Sequence, residues 1–223
     1  MVPGLCKLVL LLCSSASMDG LRDGVLDGCG ALLNAQAAAD GLCLPTVVQF
    51  NHWGQTLCHN ADAPTALAAL RKAYIPGGST ALLDTLGETL HTVNTEQRYG
   101  EAGQQAERVA FVILISGVSN ADTQTSEDSV RIRIDMQRAV FGWEFFYLCT
   151  HPYGLTVAQR LQLPENRMAL LPPDNAAIAR GLRAVSDALL CWRRGEGVPD
   201  AWAAGLQAAD APVAAEHPTG PRP

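Results

Sequence analysis

Apolar residues in this chain fall into two kinds of segment: short unbroken runs, and longer stretches in which an apolar position recurs every third or fourth residue. The runs are Leu8 to Leu12, Leu44 to Phe50, Arg108 to Ile115 and Trp143 to Cys149. Short apolar runs bounded by turn signals predict strands buried on both faces, as in a parallel sheet covered by helices. Gln55 to Cys58 reads as a short strand reached through a tight turn at Asn51 and Gly54, which makes it antiparallel to its predecessor. Arg167 to Leu171 reads as a last edge strand.

Between the runs lie the helical patterns. Met18 to Ala39 carries Leu21, Val25, Cys29, Leu32 and Leu33 on one face, and Asp40-Gly41 ends it. Ala63 to Lys72 is a short helix, closed by the breaker Pro76-Gly77-Gly78. From Ser79 a helix is predicted to Gln97, striped by Leu82, Leu86, Leu90 and Val93, with Ser79 or Thr80 as its N-cap. Tyr99 to Gln105 is a polar loop. Ser126 to Val140 is ambiguous, because Val130 to Asp135 alternates like a strand; a parallel topology requires a long crossover here, so it is read as helix. Thr156 to Leu163 and Asn175 to Arg193 complete the set, the latter with Ile178, Leu182, Val185 and Leu189 on one face. This alternation predicts an α/β fold with a doubly wound, mostly parallel, Rossmann-like sheet and one short antiparallel edge strand.

Composition bounds the partners. With 223 residues, 48% of them hydrophobic, the chain is expected to form one domain over residues 1–195. Residues 196–223 are rich in Ala, Pro and Gly and are expected to be a largely disordered tail, with Trp202 its one anchor. A net charge of -6 offers no footprint for nucleic acid or anionic lipid, so neither is expected as a partner. The seven cysteines (Cys6, Cys13, Cys29, Cys43, Cys58, Cys149, Cys191) are scattered and form no C-x-x-C pair, which suits free thiols in a reducing compartment rather than a zinc site. Met1 to Ser17 also fits a signal peptide, with Lys7 as its charged part. Its apolar core is only about six residues against the roughly 7–15 expected, so a cytoplasmic location is expected and secretion is the alternative. No run approaches the ~18 apolar residues of a membrane span.

Ligands of doubly wound sheets sit past the carboxyl ends of the strands. Two buried strands here open onto small polar residues at that edge: Lys7 to Met18 reads KLVLLLCSSASM, and Arg108 to Ile115 runs into Ser116-Gly117-Val118-Ser119-Asn120. One shared site is expected.

The same segments carry a resemblance. Cys13-Ser14-Ser15-Ala16-Ser17 resembles the Asp-x-Ser-x-Ser motif of von Willebrand factor type A domains of the bacterial and phage-like kind, with cysteine in place of the aspartate. Val47 to Asn51, Gly78 to Asp84, Ile115-Ser116-Gly117 with Asn120-Ala121, and Gly142 to Phe145 resemble, in order, the family's later elements, so the likeness spans Lys7 to Arg193. The resemblance implies the same fold and a metal-ion-dependent adhesion site built from two aspartates, two serines and a threonine. Carried over by residue, Ser15, Ser17 and Thr80 are kept, while Cys13 and Ser116 stand where the aspartates belong. Mg²⁺ requires oxygen ligands and usually a carboxylate or two, and a thiol is a soft ligand for it. No cofactor is therefore expected. Mg²⁺ held by Ser15, Ser17 and Thr80 is the alternative, rescued only if Asp19, Asp84 or Asp122 turns inward.

Other chemistry is weakly signalled. No G-x-S-x-G elbow supports a serine hydrolase, and Gly77-Gly78-Ser79-Thr80 lacks the lysine and spacing of a P-loop. Cys13 is read as a small residue filling the place of aspartate, with a reactive thiol as the alternative. Ser15, Ser17 and Thr80 have a structural reading too, as caps for strand-end and helix-start backbone groups. His52, Trp53, His59, His151 and Tyr153 border the ligand edge. The expected function is a non-enzymatic protein-interaction domain whose binding edge is Cys13, Ser15, Ser17, Thr80 and Ser116, with an unidentified protein partner. The alternatives are a Mg²⁺-dependent adhesion or chaperone-like module that binds a partner carboxylate, and a small serine hydrolase.

Overall fold

The structure is a computed structural model describing residues 1–101, 103–117 and 121–206. Its six strands are β1 (Val2–Cys13), β2 (Cys43–Phe50), β3 (Gly54–Cys58), β4 (Ala106–Ile115), β5 (Glu144–Cys149) and β6 (Met168–Leu170). They form one sheet in the order β3-β2-β1-β4-β5-β6. Only β3 is antiparallel; the β2–β3 turn is too short for anything but a reversal. β1, the longest strand, lies at the centre, between β2 and β4, where Leu10 faces Val47 on one side and Val112 on the other. Leu8 to Cys13 are all at most 1% exposed, because both faces of the sheet are covered.

The covering helices are α1 (Arg22–Ala38), α2 (Ala63–Ala73), α3 (Leu82–Tyr99), α4 (Glu127–Phe141), α5 (Pro152–Arg160) and α6 (Asn175–Arg193). α1 packs against α2 and α6, and α3 packs against α4. The α1–α6 approach depends on glycine. A Cβ at Gly28 would lie 2.7 Å from Leu182 Cδ1, and one at Gly24 would overlap the Asn175 carbonyl. The ambiguous segment is helical, capped by the Ser126 hydroxyl, which accepts from Ser129 N, and closed by Gly142 at φ 64°. Tertiary burial of Val130, Ile134 and Gln137 at helical spacing overrides the local alternation.

Three expectations are corrected. α3 begins at Leu82 with Ala81 at its N-cap position and no side-chain cap, so neither Ser79 nor Thr80 caps it. α5 runs Pro152–Arg160 rather than Thr156 to Leu163, because His151 Nδ1 accepts from Tyr153 N and Pro152 presets the first turn. A 3-10 turn, Ala16–Leu21, precedes α1 and takes up the serine segment. Lys7, read above as the charged part of a possible leader, is buried within β1 and paired with Glu96 at 2.9 Å. Of the expected tail, residues 196–206 form turns that seat Trp202 edge-on against Phe146, with Nε1 donating to the Asn166 carbonyl at 2.7 Å. Residues 207–223, like Val118, Ser119 and Asn120, lie outside the described residues.

Candidate functional site

The carboxyl end of β1 is fastened before any side chain is placed. Ser14 N donates to the Phe50 carbonyl at 2.7 Å, Gly77 N donates to the Ser14 carbonyl at 2.7 Å, and Ala16 N donates to the Gly78 carbonyl at 3.0 Å. Beneath them the fully buried Tyr74 donates its hydroxyl to the Cys13 carbonyl at 2.5 Å. Sequence reasoning missed Tyr74; the breaker just after it at Pro76-Gly77-Gly78 was the available sign that this segment turns back onto the sheet. Gly77 N and, just past the turn, Ala81 N are spent on the Ser14 and Asn51 carbonyls.

Thus held, the loops after β1 and β4 bring four of the predicted side chains into mutual contact. Ser17 donates to Ser116 Oγ at 2.7 Å; Ser15 Oγ lies 2.9 Å from Ser17 Oγ and 3.3 Å from Ser116 Oγ. Cys13 Sγ lies below, 3.2 Å from Ser15 Oγ and 3.8 Å from Ser116 Oγ. Ser15 and Cys13 are buried and Ser17 is exposed, so the cluster forms the floor of a cleft rather than a closed cavity. The cleft, about 310 Å³, is lined by Ser15, Ser17, Thr80 and Ser116 with Gly78, Ser79, Gly117 and His151. Thr80 therefore joins the site as a wall. Ser15 occupies the N-cap position of the 3-10 turn yet makes no capping bond; its hydroxyl is used by neighbouring side chains, which corrects the capping reading for this residue.

The donor set decides what the cleft can hold. Adjacent oxygens around an octahedral ion with bonds of 2.0–2.1 Å are separated by about 2.9 Å, close to the spacings of these hydroxyls. The same spacings are those of the hydrogen bonds the hydroxyls make to one another, and three hydroxyls and a thiol supply no anion. Each missing carboxylate withdraws about 4 kcal/mol of attraction for a unit charge at about 4 Å and an effective dielectric of 20, and more for a divalent ion. This donor set does not fit Mg²⁺. No group of three or more His, Cys, Asp or Glu side chains suited to a metal occurs among the described residues.

The neighbouring carboxylates do not compensate. Asp84 faces the loop before α4, accepting from Thr123 N at 2.8 Å, Gln124 N at 3.1 Å and Thr125 N at 2.6 Å. Partial burial pushes its carboxyl up, but these backbone donors outweigh that and hold it below the ordinary value. Asp122 Oδ1 accepts from Asp84 N, and Asp19 is exposed. Cys13, at 0% exposure, has the position of a filler rather than of an accessible nucleophile. His151 reaches the cleft, but its Nδ1 accepts from Tyr153 N at 3.2 Å, so in the neutral ring Nε2 carries the proton and donates. The Nδ1 lone pair is thus engaged at the start of α5.

Beyond Ala81 a larger cleft of about 630 Å³ continues the same edge, lined by His52, Trp53, Asp84, Glu88, His91 and Arg133 among others. Trp53 is 60% exposed and rests on His52, with ring centroids 3.9 Å apart. His59 belongs elsewhere, bound to Glu96 at 2.7 Å.

Strand order, helix layers and a hydroxyl cluster at the ends of β1 and β4 define a domain with the von Willebrand factor type A fold, and solved structures bear this out. Proximal thread matrix protein 1 from the mussel byssus, with a zinc-occupied MIDAS motif, is similar at TM-score 0.64 and 12% identity, over 84% of this chain and 46% of that one. The von Willebrand factor type A structure from Catenulispora acidiphila gives TM-score 0.58 and 14% identity, over 83% and 42%. The manganese-loaded TRAP protein of Plasmodium vivax gives 0.53 and 17%, over 80% and 72%. This chain thus spans less than half the length of the first two. No family model and no curated protein matches the sequence.

Proposed function

We propose that this chain is a non-enzymatic, cytoplasmic protein-interaction domain that binds a protein partner at the Ser15–Ser17–Thr80–Ser116 edge by hydrogen bonding and shape, without a divalent ion. The observation that carries this reading is the self-bonded hydroxyl cluster, with ligand-like spacing and no carboxylate. A partner meets an edge of hydroxyl donors and acceptors, flanked by the exposed Trp53 and by Tyr153. Two structures of similar fold hold manganese or zinc; on this reading the present chain binds its partner with neither.

Calorimetric titration with Mg²⁺ and Mn²⁺ tests the proposal, using a Cys13→Asp, Ser116→Asp variant as the comparison. The expected result is no heat of binding in the wild type up to millimolar metal and clear binding in the variant. Wild-type binding at or below millimolar metal overturns the reading and makes metal-mediated carboxylate recognition the working mechanism.

A further inference from the structure

At the amino-terminal end of the sheet, far along the strands from the serine cluster, two cysteines face each other. Cys6 of β1 is the register partner of Cys43 of β2. Neighbouring strands lie about 4.8 Å apart, inside the Cα separation of roughly 4.4–6.8 Å that a disulfide spans. Register partners in a parallel pair project to the same face, which sets the two thiols side by side. Cys6 is buried at 2% exposure whereas Cys43 is only partly covered, so a small reagent meets Cys43 first.

The surroundings favour a thiolate at that position. Arg193 donates to the carbonyls of Gln36 at 2.7 Å, Asp40 at 2.9 Å and Gly41 at 3.3 Å, and to Gln36 Oε1 at 3.1 Å. All these acceptors are neutral, and Arg193 has no carboxylate partner among the described residues, so its charge acts on the thiols unneutralised. The neighbouring Cys6 thiol lowers the Cys43 thiol below its ordinary value; burial opposes this and Arg193 reinforces it. The adjacent Cys43 and burial push Cys6 well above the ordinary value. The less covered Cys43 is the thiol placed to react first.

We infer that Cys43 and Cys6 form an oxidation site for small hydroperoxides, with Cys43 as the attacking sulfur and Cys6 as the resolving thiol. The Cys43 thiolate attacks the terminal oxygen of the hydroperoxide; an S–O bond forms, the O–O bond breaks, and the sulfur becomes a sulfenic acid. The departing alkoxide or hydroxide takes a proton from water. The Cys6 sulfur then attacks the Cys43 sulfur, the S–O bond breaks, and the Cys6 proton leaves with the hydroxyl as water. In sum, two thiols and one hydroperoxide give one disulfide, one alcohol (or water) and one water. The bridge ties β1 to β2 at the end of the sheet opposite the cleft. Cys58 and Cys191 are comparably exposed, but Cys58 faces Val47 across its strand pair and Cys191 lies on α6, so neither has this arrangement.

The test uses the full chain, reduced, freed of reductant and exposed to one equivalent of hydrogen peroxide. Expected are a mass loss of about 2 Da, a fall of two in the seven free thiols, and a Cys6–Cys43 linked peptide that a dithiol reverses. In Cys6→Ser, dimedone should capture a sulfenic acid at Cys43. Oxidation first at Cys58 or Cys191 with Cys43 unmodified overturns the inference, as does Cys43 oxidised in the wild type without linkage to Cys6. Because peptide mapping of the wild type decides between these outcomes, no substitution at Cys43 is needed.

Discussion

Glu96→Gln is the most informative single change in the scaffold, because it isolates a buried cation. Lys7 Nζ lies 2.9 Å from Glu96 Oε2, with the lysine side chain 4% exposed and the glutamate 27%. Glu96 also accepts from His59 Nε2 at 2.7 Å and Asn60 Nδ2 at 3.3 Å. In Glu96→Gln the ammonium keeps its burial and loses its counter-charge, a change that costs about 3–5 kcal/mol when one partner of a buried pair is removed. The partial exposure of Glu96 places the expected loss at about 3 kcal/mol, or roughly 6–12 °C in Tm for a domain of this size.

Lys7→Met should cost far less, about 1 kcal/mol, because it removes the buried charge and leaves Glu96 with His59, Asn60 and water. Urea denaturation of the two variants at neutral pH measures the asymmetry. A larger loss in Lys7→Met, or a loss below ~1 kcal/mol in Glu96→Gln, refutes the reasoning. The pH dependence gives a second handle. Burial pushes the Glu96 carboxyl up, but Lys7, His59 and Asn60 outweigh it, so its folded value lies below the ordinary 4.5. Its contribution to wild-type stability is present above 4.5 and is lost as pH falls through the folded value.

Tyr74→Phe orphans the Cys13 carbonyl under the serine cluster and should cost about 1–3 kcal/mol, read by denaturant titration; a loss below ~0.5 kcal/mol would mean that water replaces the hydroxyl. Asp84→Asn should release the loop at residues 121–125, raising amide exchange there with the sheet unaffected. Because the Asp84 carboxyl is held below its ordinary 3.8, wild-type loop protection should persist at pH 5 and fall as the folded value is crossed; loss already at pH 5 would contradict the bonding described. Restoring charge with Cys13→Asp and Ser116→Asp should create Mg²⁺ affinity, as set out above.

Periodicity made the sheet legible. Runs such as Leu8 to Leu12 can be buried only where both faces are covered, which predicts a parallel core, and Asn175 to Arg193 matched α6 at both ends because an aspartate cap, a clean stripe and a terminal glycine agree. The residue types at the ligand edge were equally plain, with cysteine at position 13 and serine at position 116. What one dimension withheld were matters of approach. The start of α3 is set by Ala81 N bonding to the Asn51 carbonyl, a contact across 30 positions that no local cap signal reports. The pairing of Lys7 with Glu96, 89 positions on, is likewise signalled by nothing local. The joining of Ser15 and Ser17 to Ser116, some 100 residues on, and the pairing of Cys6 with Cys43 follow from strand order. Strand order is decided by how helices cover the whole sheet, not by any one segment.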